Sequence, residues 1–248
     1  LHAGTMPEPC HNYAHEHFTF PMQAPCRLHA GPCRLHAGWA TFHTSPLCRH
    51  HILHSAAARC TFPCRPLCRL GAEHHAGVGI VAPLMDTDEA AWDTLMNVNA
   101  KGVLFCSQAA ARQMIVQGRG GRIINNASGA GKIAPGKDLP LGAYAASKHA
   151  VVAITKQMGL ELSDHGILVN CVCAGIVDTP MWTLIDRETT KLQGTPLGSV
   201  KEAAVASIPL GRIQQPEDVA NMVAFLSSSD ADYVTGQTYN VCGGLLPY

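Results

Sequence analysis

The chain has 248 residues, enough for one sizeable α/β domain with its own core, and its formal net charge is zero. No basic surface points to nucleic acid and no acidic tail points to a basic partner. No apolar run approaches the ~18 residues of a membrane-crossing helix, and no basic segment followed by an apolar run marks a secretory leader.

Composition divides the chain near residue 75. Residues 1–75 contain no valine, lysine or aspartate, and hold twelve of the fourteen histidines, seven of the eleven cysteines and eight of the sixteen prolines. LHAG occurs three times, twice within a tandem PCRLHAG repeat at Pro25–Gly31 and Pro32–Gly38. The segment lacks a sustained period of 2 or 3.6 and offers poor material for buried parallel strands. Cys60, Cys64 and Cys68, near His50, His51 and His54, are zinc ligands in type. Their spacing is not that of a zinc site, and Pro63 and Pro66 break any helix that would align the thiols, so no metal is expected. The bias toward Arg, Pro, His, Cys, Ala and Leu fits an out-of-frame reading of GC-rich coding sequence. The expected organisation is an atypical or poorly ordered segment over 1–75 and a catalytic α/β part over 76–248.

From Ala76 on, strands and helices alternate. Gly79–Pro83 is short and apolar and leads to a loop. Asp88–Gln117 reads as a long helix or helix pair, with Trp92, Leu95, Val98, Val103 and Leu104 as apolar positions. Gly121–Ser128 is a buried strand. Tyr144–Ser163 is a helix with Val151, Ile154, Met158 and Leu162 on one stripe. Ile167–Cys173 is a continuous apolar strand, as a sheet covered on both faces requires. Pro216 starts a further helix with Glu217 and Asp218 in its first turn, and Gln237–Val241 is a last strand. This alternation specifies an α/β fold with a doubly wound, Rossmann-like parallel sheet. Cys106, Cys171, Cys173 and Cys242 lie in apolar or strand-like surroundings and read as buried free thiols of a reducing, cytoplasmic setting.

Tyr144 and Lys148 carry the strongest chemical signal. Four residues apart on a helix, the phenol and the ammonium share one face. A nearby cation favours phenolate and lowers the tyrosine pKa toward the working range of a general acid/base. Ser128 ends a strand, where α/β sheets place ligands, and its hydroxyl can hold a substrate oxygen; it can equally be a turn cap. Asn99 sits in a helical pattern where asparagine is mildly unfavourable, consistent with a side chain that holds a kinked helix and an ordered water. Asn97 reads as solvent-facing.

In order and approximate spacing, Asn99, Ser128, Tyr144 and Lys148 resemble the catalytic tetrad of the short-chain dehydrogenase/reductase family. Residues Asn170–Thr179 resemble the family's N-x-V-x-P-G-x-x-x-T stretch. Gly211-Arg212 with Pro216–Ala220 resembles its G-R…P-E-D-V-A segment, and Thr235–Gly244 its T-G-x-x-x-x-V-D-G-G end. The resemblance covers about residues 76–248. It implies Tyr144 as general acid/base, Lys148 as the group that lowers its pKa and binds the nicotinamide ribose, Ser128 on the substrate oxygen, and Asn99 on a water relay. It implies NAD or NADP as cofactor, near Ala76, Gly77, Tyr144, Lys148, Gly175, Val177 and Thr179. It also implies a homotetramer or homodimer.

Several departures stand out. The family's opening T-G-x-x-x-G-x-G is absent from residues 1–75, and its N-N-A-G turn appears as His74-His75-Ala76-Gly77. Ala174 stands where proline is usual, Cys242 where aspartate is usual, and the loop Gly129–Gly142 is extended. The substrate region is expected over Asp178–Ser199, with Met181 and Trp182 beside Ser128. The C-terminal stretch most resembles polyol and diol members, such as sorbitol or butanediol dehydrogenases. The expected substrate is therefore a secondary alcohol or ketone, with no nucleic-acid or membrane partner. A 3-oxoacyl-carrier-protein-type reductase is the alternative enzyme. An inactive fragment or pseudoenzyme without the cofactor loop is the alternative of a different class.

Overall fold

The computed structural model describes residues 71–247. The repeats, the cysteine and histidine cluster and the out-of-frame reading of the N-terminal third lie outside these residues, apart from Gly71–His75.

Four strands form one parallel sheet in sequence order: β1 (Gly71–His74), β2 (Gly121–Asn126), β3 (Ile167–Ala174) and β4 (Thr238–Val241). Parallel neighbours require crossovers, and helices supply them. Between β1 and β2 lie α1 (Glu89–Leu95), a π-helical turn (Met96–Lys101) and α2 (Gly102–Gln117). Between β2 and β3 lies α3 (Gly142–Glu161). Then come α4 (Pro180–Gln193), α5 (Ser199–Ala206) and α6 (Pro216–Ser227). Asp88 caps α1 by accepting from the Ala91 N–H at 2.7 Å. Gln215 and Asp218 form a capping box at α6 behind Pro216.

Side chains of a strand alternate between faces, and β2 shows this with two adjacent isoleucines. Ile123 packs with Ala111, Met114 and Met158 of α2 and α3. Ile124 packs with Val219, Val223 and Leu226 of α6. Both isoleucines are essentially fully buried, each stabilising the fold by about 1.5–3 kcal/mol. A sheet covered on both faces explains the unbroken apolar run of β3. Polar groups between α2, β2 and α3 are paired: Ser107 of α2 donates to Asn125 of β2, and Asn125 donates to Thr155 of α3 at 2.9 Å.

The first strand corrects the expectation that parallel-strand material begins only at Ala76. Gly71–His74 pairs with Arg122–Asn125 of β2, although GAEH has no β-branched residue. Its residues alternate between exposed and half-buried, so it demands little apolar content. Gly79–Pro83 is irregular chain that follows it.

Candidate active site

The C-terminal ends of β1, β2 and β3 converge on the N-terminal half of α3, and the expected chemical residues meet there. Ser128 follows β2 and caps a short 3-10 turn, its hydroxyl accepting from the Ala130 N–H at 3.2 Å. Tyr144 and Lys148 lie one turn apart on α3 and both are buried. The Lys148 ammonium donates to the Asn126 carbonyl at 3.0 Å and stands over the Tyr144 ring, 5.8 Å from its centroid.

The electrostatics differ from the expectation that the lysine cation lowers the tyrosine pKa. Burial pushes the Tyr144 phenol up, and the Ser128 side chain, within reach of it, pulls partly the other way. Burial also draws the Lys148 ammonium down to about 8, against the opposing influence of Cys171 and Cys173. Two buried ionisable groups share one low-dielectric pocket, and removal from water weighs most on each.

Asn99 is fully buried within the π-helical turn. Its Oδ1 accepts from the Val78 N–H at 2.8 Å, and its Nδ2 donates to the Val78 carbonyl at 2.9 Å and to the Ser147 hydroxyl at 2.9 Å. The side chain is thus committed to holding the segment after β1 against α3. Asn97 is exposed.

Of the expected cofactor residues, Gly77 approaches the catalytic cluster most closely. A Cβ there would lie 3.4 Å from the Lys148 Nζ and 3.5 Å from the Asn99 Oδ1, so the absent side chain keeps open the space above the ammonium. Ala76 is exposed beside it. Gly175 leaves β3 with its N–H on the Val241 carbonyl at 2.9 Å, and a Cβ would fall 2.9 Å from the Cys242 Cα. Val177 is half-buried, and the Thr179 hydroxyl donates to the Val177 carbonyl at 3.3 Å. Met181 and Trp182, at the start of α4, pack on the apolar cluster of Val78, Leu95, Leu141, Tyr144 and Ile185. The structure therefore brings together Asn99, Ser128, Tyr144, Lys148 and Gly77, with Met181 and Trp182 as an apolar wall.

Sequence reasoning places Asp186 only within the expected substrate region Asp178–Ser199, and does not single out Ser147 or Gln214. The Ser147 hydroxyl donates to the Tyr144 carbonyl at 2.7 Å while accepting from Asn99. Buried Asp186 accepts from the Gly198 N–H at 2.7 Å and the Lys201 N–H at 2.8 Å, closing α4 onto α5. Lys201 adds an ion pair to Asp178 at 2.8 Å. None of these residues carries a local signal, because each is defined by a partner elsewhere in the chain. Among the described residues no group of three or more His, Cys, Asp or Glu could hold a metal ion, and no helix is long and apolar enough to cross a membrane.

A parallel sheet with helices on both faces, and a Tyr–Lys pair beside a strand-end serine, define a nucleotide-dependent oxidoreductase scaffold. Residues 71–246 match the family model described as enoyl-(acyl carrier protein) reductase, and the chain belongs to the short-chain dehydrogenase/reductase family. It is 44% identical over 174 residues to a diacetyl reductase [(S)-acetoin forming] of Staphylococcus epidermidis, covering 70% of this chain and 66% of that one. It is 41% identical over 171 residues to a sorbitol dehydrogenase of Cereibacter sphaeroides, covering 69% and 66%. In structure it is similar to an actinorhodin polyketide ketoreductase with NADPH, at a TM-score of 0.67 and 35% identity over 72% of this chain and 68% of that one. The chain thus spans about 66% of the length of these curated relatives.

Proposed function

We propose that the chain is an NAD(P)-dependent oxidoreductase acting on a secondary alcohol or ketone, with a small diol or polyol as substrate. The observation that carries this reading is the buried Tyr144–Lys148 pair with Ser128 beside the phenol.

The residues fit the nicotinamide half of the cofactor. Gly77 leaves space above the Lys148 ammonium, Lys148 gives a cation for the ribose hydroxyls, and Gly175, Val177 and Thr179 give backbone and hydroxyl groups for the amide. When bound, the cofactor supplies or accepts the hydride. In the reducing direction the Tyr144 hydroxyl gives its proton to the carbonyl oxygen. The resulting phenolate is steadied by the Lys148 cation. A proton from solvent then restores the phenol, while Lys148 stays beside it on the Asn126 carbonyl. Ser128 also donates to the developing alkoxide. Asn99 keeps Val78 and α3 in register beneath these groups.

Met181, Trp182, Leu139 and Leu141 surround Tyr144 with apolar surface, which favours a short diol or hydroxyketone. An acidic carrier protein would need basic side chains beside the pocket, and Met181, Trp182, Leu139 and Leu141 supply none, which weighs against the 3-oxoacyl-carrier-protein alternative. The kinship with diacetyl reductase and sorbitol dehydrogenase supports the diol or polyol class. We read the compartment as cytoplasmic, from four free cysteines among the described residues, of which Cys171, Cys173 and Cys242 are buried as expected and Cys106 is exposed, against expectation. We read the assembly as a homodimer or homotetramer formed through α2 and α3, where Phe105 and Leu160 are exposed apolar side chains.

Titration of the full chain with NADH and NADPH, by nicotinamide fluorescence and thermal shift, tests the reading. Micromolar binding, followed by turnover of acetoin, butanediol or sorbitol, is expected. Binding of neither nucleotide would leave the inactive-fragment reading in its place.

A further inference from the structure

The turn Gly175–Thr179 is held by one residue that lies outside it. Gln214 is 5% exposed. Its N–H donates to the Ile176 carbonyl at 3.0 Å, and its carbonyl accepts from the Asp178 N–H at 2.8 Å, forming a parallel bridge opposite Val177. Its side-chain Oε1 accepts from the Gly175 N–H at 3.0 Å. One residue thus binds the turn at positions 175, 176 and 178. Ala174, which enters the turn, has no ring to fix its φ, so the exit from β3 depends on its hydrogen bonds. The geometry is imposed from Gln214, which sits just before α6, whose Val219, Val223 and Leu226 are packed against the sheet.

We propose that Gln214 is a positioning residue of the cofactor site, setting through its amide oxygen where the backbone of Gly175–Thr179 lies. This rests on the reading of Gly175, Val177 and Thr179 as cofactor-facing. The two backbone bonds survive substitution, whereas the Oε1 bond does not. A half-buried Gly175 N–H that loses this acceptor keeps only the shared bond to Val241. The turn then loosens while the sheet and α6 stay in place.

The test compares Gln214→Met, which keeps the volume and removes the acceptor, with Gln214→Glu, which keeps both. Three quantities are measured on the full chain: amide exchange of the segment 174–179, the dissociation constants of NADH and NADPH, and the melting temperature. Gln214→Met is expected to speed exchange across the turn and weaken nucleotide binding about tenfold. The KM of the alcohol or ketone should move less than that of the nucleotide. Gln214→Glu should recover most of the affinity. Unchanged affinity in Gln214→Met, or a loss that Gln214→Glu fails to recover, overturns the proposal, since packing alone would then explain the residue. If the wild-type chain binds neither nucleotide, the functional reading falls. Exchange then decides whether Gln214 holds the turn, and native exchange in Gln214→Met overturns that as well.

Discussion

The Asn99 Nδ2 donates to the Ser147 hydroxyl at 2.9 Å, joining the π-helical turn to α3 one residue before Lys148. The same amide holds both backbone groups of Val78. A single side chain therefore sets three segments against one another beneath the Tyr144–Lys148 pair. Asn99→Ala strands both backbone groups of Val78 at a buried position and removes one donor to the Ser147 hydroxyl. The expected cost is about 3 kcal/mol in urea unfolding, with loss of the π-helical turn. A cost under about 1 kcal/mol would mean that water replaces the amide.

Tyr144→Phe removes the proton that the substrate oxygen receives. Turnover is expected to fall by about 10³-fold or more while nucleotide binding persists. Ser128→Ala should lower turnover by about 10²-fold, because one donor to the developing charge is lost. Retained turnover in Tyr144→Phe would assign proton transfer elsewhere.

Lys148 has a folded-state pKa of about 8 against 10.5 when unfolded. Between these values the unfolded chain holds a proton that the folded chain does not, so stability rises with pH across this window. Below pH 8 the full burial penalty applies, up to about 3 kcal/mol. Lys148→Met is expected to be the more stable protein at pH 7, with the difference shrinking toward pH 10, and to be inactive. Melting temperatures of both proteins from pH 6 to 10 check this. A constant difference would remove lysine titration as its source.

His74 ends β1, and burial, with His75 adding to it and Glu73 opposing, lowers its pKa from 6.5 to about 4. The neutral imidazole is the folded form, so the unfolded chain binds more protons between these values and stability falls as pH drops from 6.5 toward 4. The loss attributable to His74 reaches up to about 3 kcal/mol. In His74→Gln this part of the acid limb should flatten, as read from unfolding free energies at pH 7, 6 and 5. An unaltered slope would place the acid sensitivity in other groups.

Asp186 receives two backbone N–H groups and holds α5 beside the wall formed by Met181 and Trp182. Asp186→Asn sets an amide against one of those donors. We expect the substrate KM to rise several-fold with nucleotide affinity unchanged, and a local stability loss of about 1–3 kcal/mol. An unchanged KM would separate the α4–α5 unit from substrate binding.

Much of this protein is legible in its sequence. The alternation of apolar strands with amphipathic helices is local, so the parallel α/β fold follows from residues 76–248 alone. The helical spacing of Tyr144 and Lys148 puts both on one face, and Ser128 at a strand end falls beside them. Tertiary structure alone decided the rest. Gly71–His74 is a strand because β2 pairs with it, not because its residues favour one. The Tyr144 pKa rises because packing removes the phenol from water, which outweighs the opposing hydrogen bond from Ser128. Asn99, Asp186 and Gln214 take their roles from partners up to tens of residues away, and a hydrogen bond between distant segments leaves no periodic trace in either one.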